Sequence, residues 1–161
     1  VKCRLVVAAL FLSACGDDAP SAPTTTAVTQ VSLPSASISL AVDTKRVKNT
    51  GNSKTPLRAE WTIVVQETGG VAGRLAFVNS TLRDATSGAR ALPKATAALA
   101  QEALLLLLGS DRLAAGGSVS VPGSLEYALP SGGKVGILSV AVQVEDDNGH
   151  VLSALTEVEV R

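Results

Sequence analysis

The chain has 161 residues, enough for one domain and a tail. Lys2 and Arg4 fall within the first 14 residues, so beyond them 14 − 2 = 12 basic side chains face 14 acidic ones, a net charge of about −2. That balance excludes a nucleic-acid partner held by counterion release, and the aromatics left there, Trp61, Phe77 and Tyr127, are too few for a base-stacking groove or an extended glycan platform.

In chain order, Lys2 and Arg4 precede an unbroken apolar run, LVVAALFL, from Leu5 to Leu12. The run is shorter than the roughly 20 residues of a membrane-spanning helix and has the layout of a secretory signal. Val1 in place of Met reads as a GTG start written as valine, or as the edge of a fragment that lacks a few residues. Leu12-Ser13-Ala14-Cys15 then resembles the lipobox of bacterial lipoproteins: a branched apolar residue, two small ones, and cysteine. The resemblance implies that residues 1–14 are removed and that the Cys15 thiol carries a diacylglyceryl group through a thioether. Acyl chains at about 0.8 kcal/mol per buried CH₂ would then tether the protein to an envelope membrane. Cys3 would leave with the signal and Cys15 would be lipidated, so no disulfide is expected. Gly16 after the cysteine favours the outer membrane in a host with two membranes. With Cys15, residues up to 30 read as a flexible linker, because GDDAPSAPTTTAVTQ has too little apolar surface to offset its ordering entropy.

Residues 31–161 read as the folded domain, with apolar side chains recurring at period two, the mark of half-buried strands. Ile38, Leu40 and Val42 form one such face, and Leu57, Ala59, Trp61, Ile63 and Val65 a second. Leu75 and Phe77 continue toward Thr81; Val119 and Val121 precede Leu125, Tyr127 and Leu129. Leu138, Val140, Val142 and Val144 make a further face, and Ala154, Thr156, Val158 and Val160 the last. Turn chemistry separates them at Gly51-Asn52, Gly69-Gly70, Asp84 to Gly88, Pro130 to Gly133 and Asp146-Asp147-Asn148-Gly149, where Asn-Gly favours a two-residue hairpin. Pro122-Gly123 inside a strand pattern predicts a bulge or a sheet edge.

One stretch departs from this alternation. Residues 95–108, ATAALAQEALLLLL, have high helix propensity, with Thr96 as N-cap, Gly109 as C-cap, and Leu99, Ala103 and Leu106 on one face. The expectation is a short helix crossing between the sheets, with a buried strand at Leu104 to Leu108 as the alternative.

Six or seven strands so spaced predict an all-β fold, an antiparallel two-sheet sandwich with one short helical insertion. With buried Trp61 and the closing hairpin VAVQVEDDNGHVLSALTEVEV, the domain resembles the immunoglobulin-like or fibronectin-like sandwiches of bacterial surface lipoproteins. It departs from true immunoglobulin domains in lacking the cysteine pair and in its Ala/Leu insertion. The resemblance implies an immunoglobulin-like sandwich with an adhesion, scaffolding or partner-binding role.

The inventory of chemistry is short. His150, the one histidine, follows a turn, and no serine lies in a Gly-x-Ser-x-Gly elbow. Ser131-Gly132-Gly133-Lys134 matches Ser-x-x-Lys, but in a Gly-rich loop rather than at a helix start, and without the companion motifs. Asp146 and Asp147 are weak Ca²⁺ candidates at one turn, without EF-hand spacing. Asn79-Ser80-Thr81 is a sequon inside a strand. The acidic residues are expected on outward faces or in turns, with ordinary pKa values. The expectation is therefore a lipid-anchored envelope module without catalytic residues, cofactor or metal, binding a partner through loops near Gly69 to Gly73 and Asp146 to His150. A protease-inhibitor-like sandwich or a Ca²⁺-dependent adhesion module is the alternative.

Overall fold

The computed structural model describes residues 33–93 and 96–161. The signal, Cys15 and the linker of 15–30 lie outside the described residues. Among the described residues there are nine strands and one helix. The strands are β1 (Ile38–Thr44), β2 (Lys48–Asn49), β3 (Leu57–Glu67), β4 (Gly73–Asp84), β5 (Thr96–Ala100), β6 (Arg112–Leu113), β7 (Ser118–Tyr127), β8 (Gly136–Asp146) and β9 (Val151–Val160). Helix α1 spans Gln101–Leu108.

All pairings are antiparallel. In the first sheet β3 is central, flanked by β7 on one side and by β1 and the short β2 on the other. The second runs β5-β4-β8-β9, with β6 also on β4. This is the two-sheet sandwich expected. Its core lies between the sheets and takes Ala59, Trp61, Ile63 and Val65 from β3, Leu75, Val78 and Leu82 from β4, and Leu138, Val140, Val142 and Val144 from β8. Edge strands β1 and β9 pack against each other along one flank.

Two expectations need correction. First, β4 carries a bulge between Leu75 and Phe77, where its register against β8 shifts. The extra residue reverses the phase of the alternation. Leu75 is buried, but Val78, Ser80 and Leu82 then point inward, and Phe77 and Thr81 leave the core face. Second, only the C-terminal part of 95–108 is helical. Thr96–Ala100 pairs with Thr81 to Phe77 of β4, so sheet pairing overrides the helix propensity of an Ala-rich segment. Ala100 is the N-cap and supplies no side-chain hydrogen bond, whereas Gly109 caps the C-terminus as expected, at φ 74° with its N–H on Leu105 O at 2.9 Å. Leu104 is the buried residue of α1, and Leu106 is 90% exposed. The helix does not cross between the sheets: β5 before it and β6 after it both lie on β4, and the crossing to β7 follows β6.

Pro122-Gly123 resolves as an edge. Strand β7 pairs only with β3, without register shift, and Pro122 sits opposite Thr62. Gly123 sits opposite Trp61, and a Cβ there would lie 2.3 Å from the indole Nε1. The missing side chain is the space the indole occupies. Gly123→Ala is therefore expected to cost about 1–3 kcal/mol as an overpacking substitution. Urea unfolding measures it, and a variant as stable as the parent would show that the indole moves aside freely.

Candidate functional site

The loop end singled out by sequence, around Gly69 to Gly73 and Asp146 to His150, is held by two carboxylates. Period two explains their placement. Glu67 is the next inward position after Leu57, Ala59, Trp61, Ile63 and Val65, and Asp146 follows Leu138 through Val144 in the same way. Both are buried, at 1% and 4% exposure, contrary to the expectation that acids stay on outward faces or in solvated turns.

Each is satisfied by backbone donors. The Glu67 carboxylate accepts N–H groups from Ser37 (3.2 Å) and Gly69 (2.5 Å) on Oε1, and from Gly70 (2.9 Å) and Gly116 (2.8 Å) on Oε2. The Gly116 N–H leads in holding its pKa down at about 2, against burial, with Ser37, Gly69 and Gly70 adding to it. Asp146 accepts N–H groups from Ala36 (3.0 Å), Asn148 (2.9 Å) and His150 (2.8 Å), and its Oδ2 lies 2.9 Å from His150 Nδ1. Burial pushes this carboxyl up, but the donors from Ala36, His150 and Asn148 outweigh it and hold it at about 2.

Together they strap the incoming segment to the domain. Ala36 N–H is on Asp146, Ser37 N–H is on Glu67, Thr68 N–H donates to Ser37 O at 2.7 Å, and the Asn148 side-chain amide donates to Pro34 O at 2.7 Å. Gly69 permits the close approach, since a Cβ there would lie 2.6 Å from Ser37 N. The turn itself differs from the two-residue hairpin expected. Gly149 donates to Asp146 O, Asp146 donates to His150 O, and Gly149 alone has positive φ, at 82°. This is a three-residue loop, a type I geometry closed by a left-handed glycine.

The candidate cation ligands are thus engaged. Four donors point at the oxygens of Asp146, and the Asp147 carboxylate takes both guanidinium nitrogens of Arg112, at 2.6 and 2.5 Å. A cation at Asp146 would face N–H groups rather than oxygen ligands. Among the described residues no group of three or more His, Cys, Asp or Glu is arranged to hold a metal. His150 sits on Asp146 and orders the turn.

At the opposite end of the sandwich Asp84 plays the same part. It ends the inward series Val78, Ser80 and Leu82, is buried, and accepts N–H groups from Thr86 (2.8 Å), Ser87 (3.3 Å) and Ser131 (2.7 Å). The Ser131 hydroxyl leads in lowering its pKa, against burial, ahead of those N–H groups. Ser131 is therefore a loop anchor, and its Oγ accepts the Gly133 N–H at 3.2 Å. Lys134 lies in the loop beyond it and lines a separate cavity. Sequence reasoning passed over Glu67 and placed Asp84 in a solvated turn, although each continues an apolar alternation by one step.

A depression of about 350 Å³ is lined by Lys45, Arg58, Glu60, Trp61 and Pro122 on the first sheet's side and by Leu107 of α1. Glu60 engages Arg58 (3.1 Å), Lys48 (3.4 Å) and Lys45 (4.0 Å), so one carboxylate is shared by three cations.

No family model and no curated protein matches the chain. Solved structures do. An X-ray structure of Northeast Structural Genomics Consortium target SoR45 superposes with a TM-score of 0.56 at 13% identity, covering 76% of this chain and 84% of that one. The Bordetella pertussis structure solved as the "Putative ApaA Protein" superposes at a TM-score of 0.51 and 12% identity, covering 80% of this chain and 96% of that one. At such identities the likeness is one of fold: the chain shares a β-sandwich with these two proteins.

Proposed function

We propose that the chain is a lipid-anchored module of the bacterial cell envelope, a non-enzymatic sandwich of immunoglobulin-like or fibronectin-like type that binds or scaffolds a partner. The observation that carries the anchoring is Leu12-Ser13-Ala14-Cys15, placed directly after a basic start and an eight-residue apolar run. Strand order supports the finer class: β1, β3 and β7 face β5, β4, β8 and β9, so a strand sits beside the third main strand as in sandwiches that widen that sheet. Helix α1 and the two short strands are additions to that plan. The buried carboxylates and His150 all serve loops and the incoming segment, which favours a binding module over an enzyme.

The strap at Pro34 to Ser37 also moves the expected binding surface. The loops first favoured, near Gly69 to Gly73 and Asp146 to His150, hold the side on which the chain arrives from Cys15. The opposite loops, around 45–56, 84–91 and 129–135, face away from it and are the binding end in this reading.

Mass spectrometry of protein extracted from its host's membranes is expected to show an N-terminus at a diacylated Cys15. Cys15→Ala is expected to leave the protein unprocessed or released. A full-length soluble protein keeping residues 1–14 in its host would refute the anchoring.

A further inference from the structure

At the end away from the incoming segment, four cationic side chains line one cavity. Its volume is about 290 Å³, near the lower bound for small-molecule pockets. Arg46 and Lys48 come from the connection between β1 and β3, Lys134 from the loop before β8, and Arg161 follows β9. Leu57 and Val47 supply an apolar wall. The Val47 N–H donates to Arg161 O at 3.2 Å, and β2 pairs with β3, so backbone contacts hold the segments of Val47, Leu57 and Arg161 together.

The charges do not cancel. No Asp or Glu side chain lines the cavity. Lys48 shares Glu60 at 3.4 Å with Arg58, and Arg161 Nε meets Glu159 at 3.4 Å. Arg46 and Lys134 have no acidic side chain within ion-pair distance among the described residues. Glu60 is one carboxylate shared by Lys45, Lys48 and Arg58, so the lining carries an excess of positive charge. At other places Arg83 is paired with Glu157 (2.7 Å) and Arg112 with Asp147 (2.5 Å).

We propose that this cavity is an anion site that takes a dianionic phosphoryl group, with Arg46 and Lys134 as its principal ligands. A dianion answers that excess of positive charge, and the planar guanidinium of Arg46 offers the paired donors that phosphate oxygens accept. The wall of Leu57 and Val47 suits the apolar side of whatever carries the phosphoryl group. A single carboxylate would offset less of that charge. The site stands on the described residues alone, so it does not depend on lipidation of Cys15.

Inorganic phosphate and pyrophosphate, titrated into the purified full chain and followed by amide NMR, are the probes. Saturable shifts confined to residues 46–49, 57, 134 and 161 are expected. Lys134→Ala and Arg46→Ala should each weaken binding about tenfold, the effect of losing one charge-assisted contact. Arg112→Ala, at the other end, should leave it unchanged. Acetate should bind more weakly than phosphate. Failure to saturate, shifts spread over every basic patch, equal binding of acetate, or full binding by the Arg46→Ala/Lys134→Ala double variant would each overturn the proposal. Circular dichroism of the variants, expected to match the parent, keeps loss of fold from passing for loss of binding.

Discussion

Trp61→Ala is expected to destabilise the domain by about 3–5 kcal/mol, the usual range for emptying a large aromatic from a core. Trp61 is the one tryptophan, is 3% exposed, and lies between the buried Ala59 and Ile63 on the central strand of its sheet. Its neighbour across the ladder is Gly123, which has no side chain to fall into the vacated space. Its Nε1 is buried without a hydrogen-bond partner among the described residues. Trp61→Phe should therefore cost much less than Trp61→Ala, since the N–H it removes has no acceptor there to lose. Equilibrium unfolding in urea measures both. Native emission should be blue-shifted and shielded from iodide; emission like that of indole in water would place Trp61 on the surface.

Acid is expected to unfold the domain through three buried carboxylates, Glu67, Asp84 and Asp146. Glu67 and Asp146 are held at about 2 and Asp84 is held well below its usual range, whereas in the unfolded chain such groups titrate near 4. As pH falls, the unfolded state takes up protons first. Their contribution is thus fully present above about pH 5 and drains away as pH drops through 4; the shares of Glu67 and Asp146 are spent once pH falls through about 2, and that of Asp84 lower still. Urea midpoints measured from pH 7 to 2 should be flat and then fall steeply. Glu67→Gln should flatten that slope and also lower Tm at neutral pH by ~5–10 °C. Each Glu67 oxygen takes two N–H groups, so an amide nitrogen in either place turns donors against a donor. A variant with the parent's acid profile would show that Glu67 is not titrating in this range.

How much of this is legible in the sequence follows from where period two holds. In β3 and β8 it runs unbroken, and every apolar inward position read from the sequence is buried there. In β4 one bulged residue reverses the phase after Leu75, and nothing local at Ala76-Phe77 announces it. Residues 96–100 and 101–108 have similar helix propensity, and the open edge of β4, known only in three dimensions, decides between strand and helix. The carboxylates are the instructive miss. Glu67, Asp84 and Asp146 each stand one inward step beyond an apolar series, beside a turn whose N–H groups need acceptors. The cationic cavity was not legible, because Arg46, Lys48, Lys134 and Arg161 meet only through the folding of three separate segments.

The strap on the incoming segment has a mechanical side. Strand β1 runs from that end toward the opposite one, paired with β3 from Ile38↔Glu67 to Thr44↔Trp61. A tug applied ahead of Leu33 and resisted at the far loops acts along β1, while the antiparallel ladder bonds lie across it. The load falls on the whole ladder at once, in shear, instead of peeling the strand one bond at a time. The contacts of Pro34, Ala36 and Ser37 with Asn148, Asp146 and Glu67 meet the pull first, so a domain loaded through this segment is gripped at the point where tension arrives.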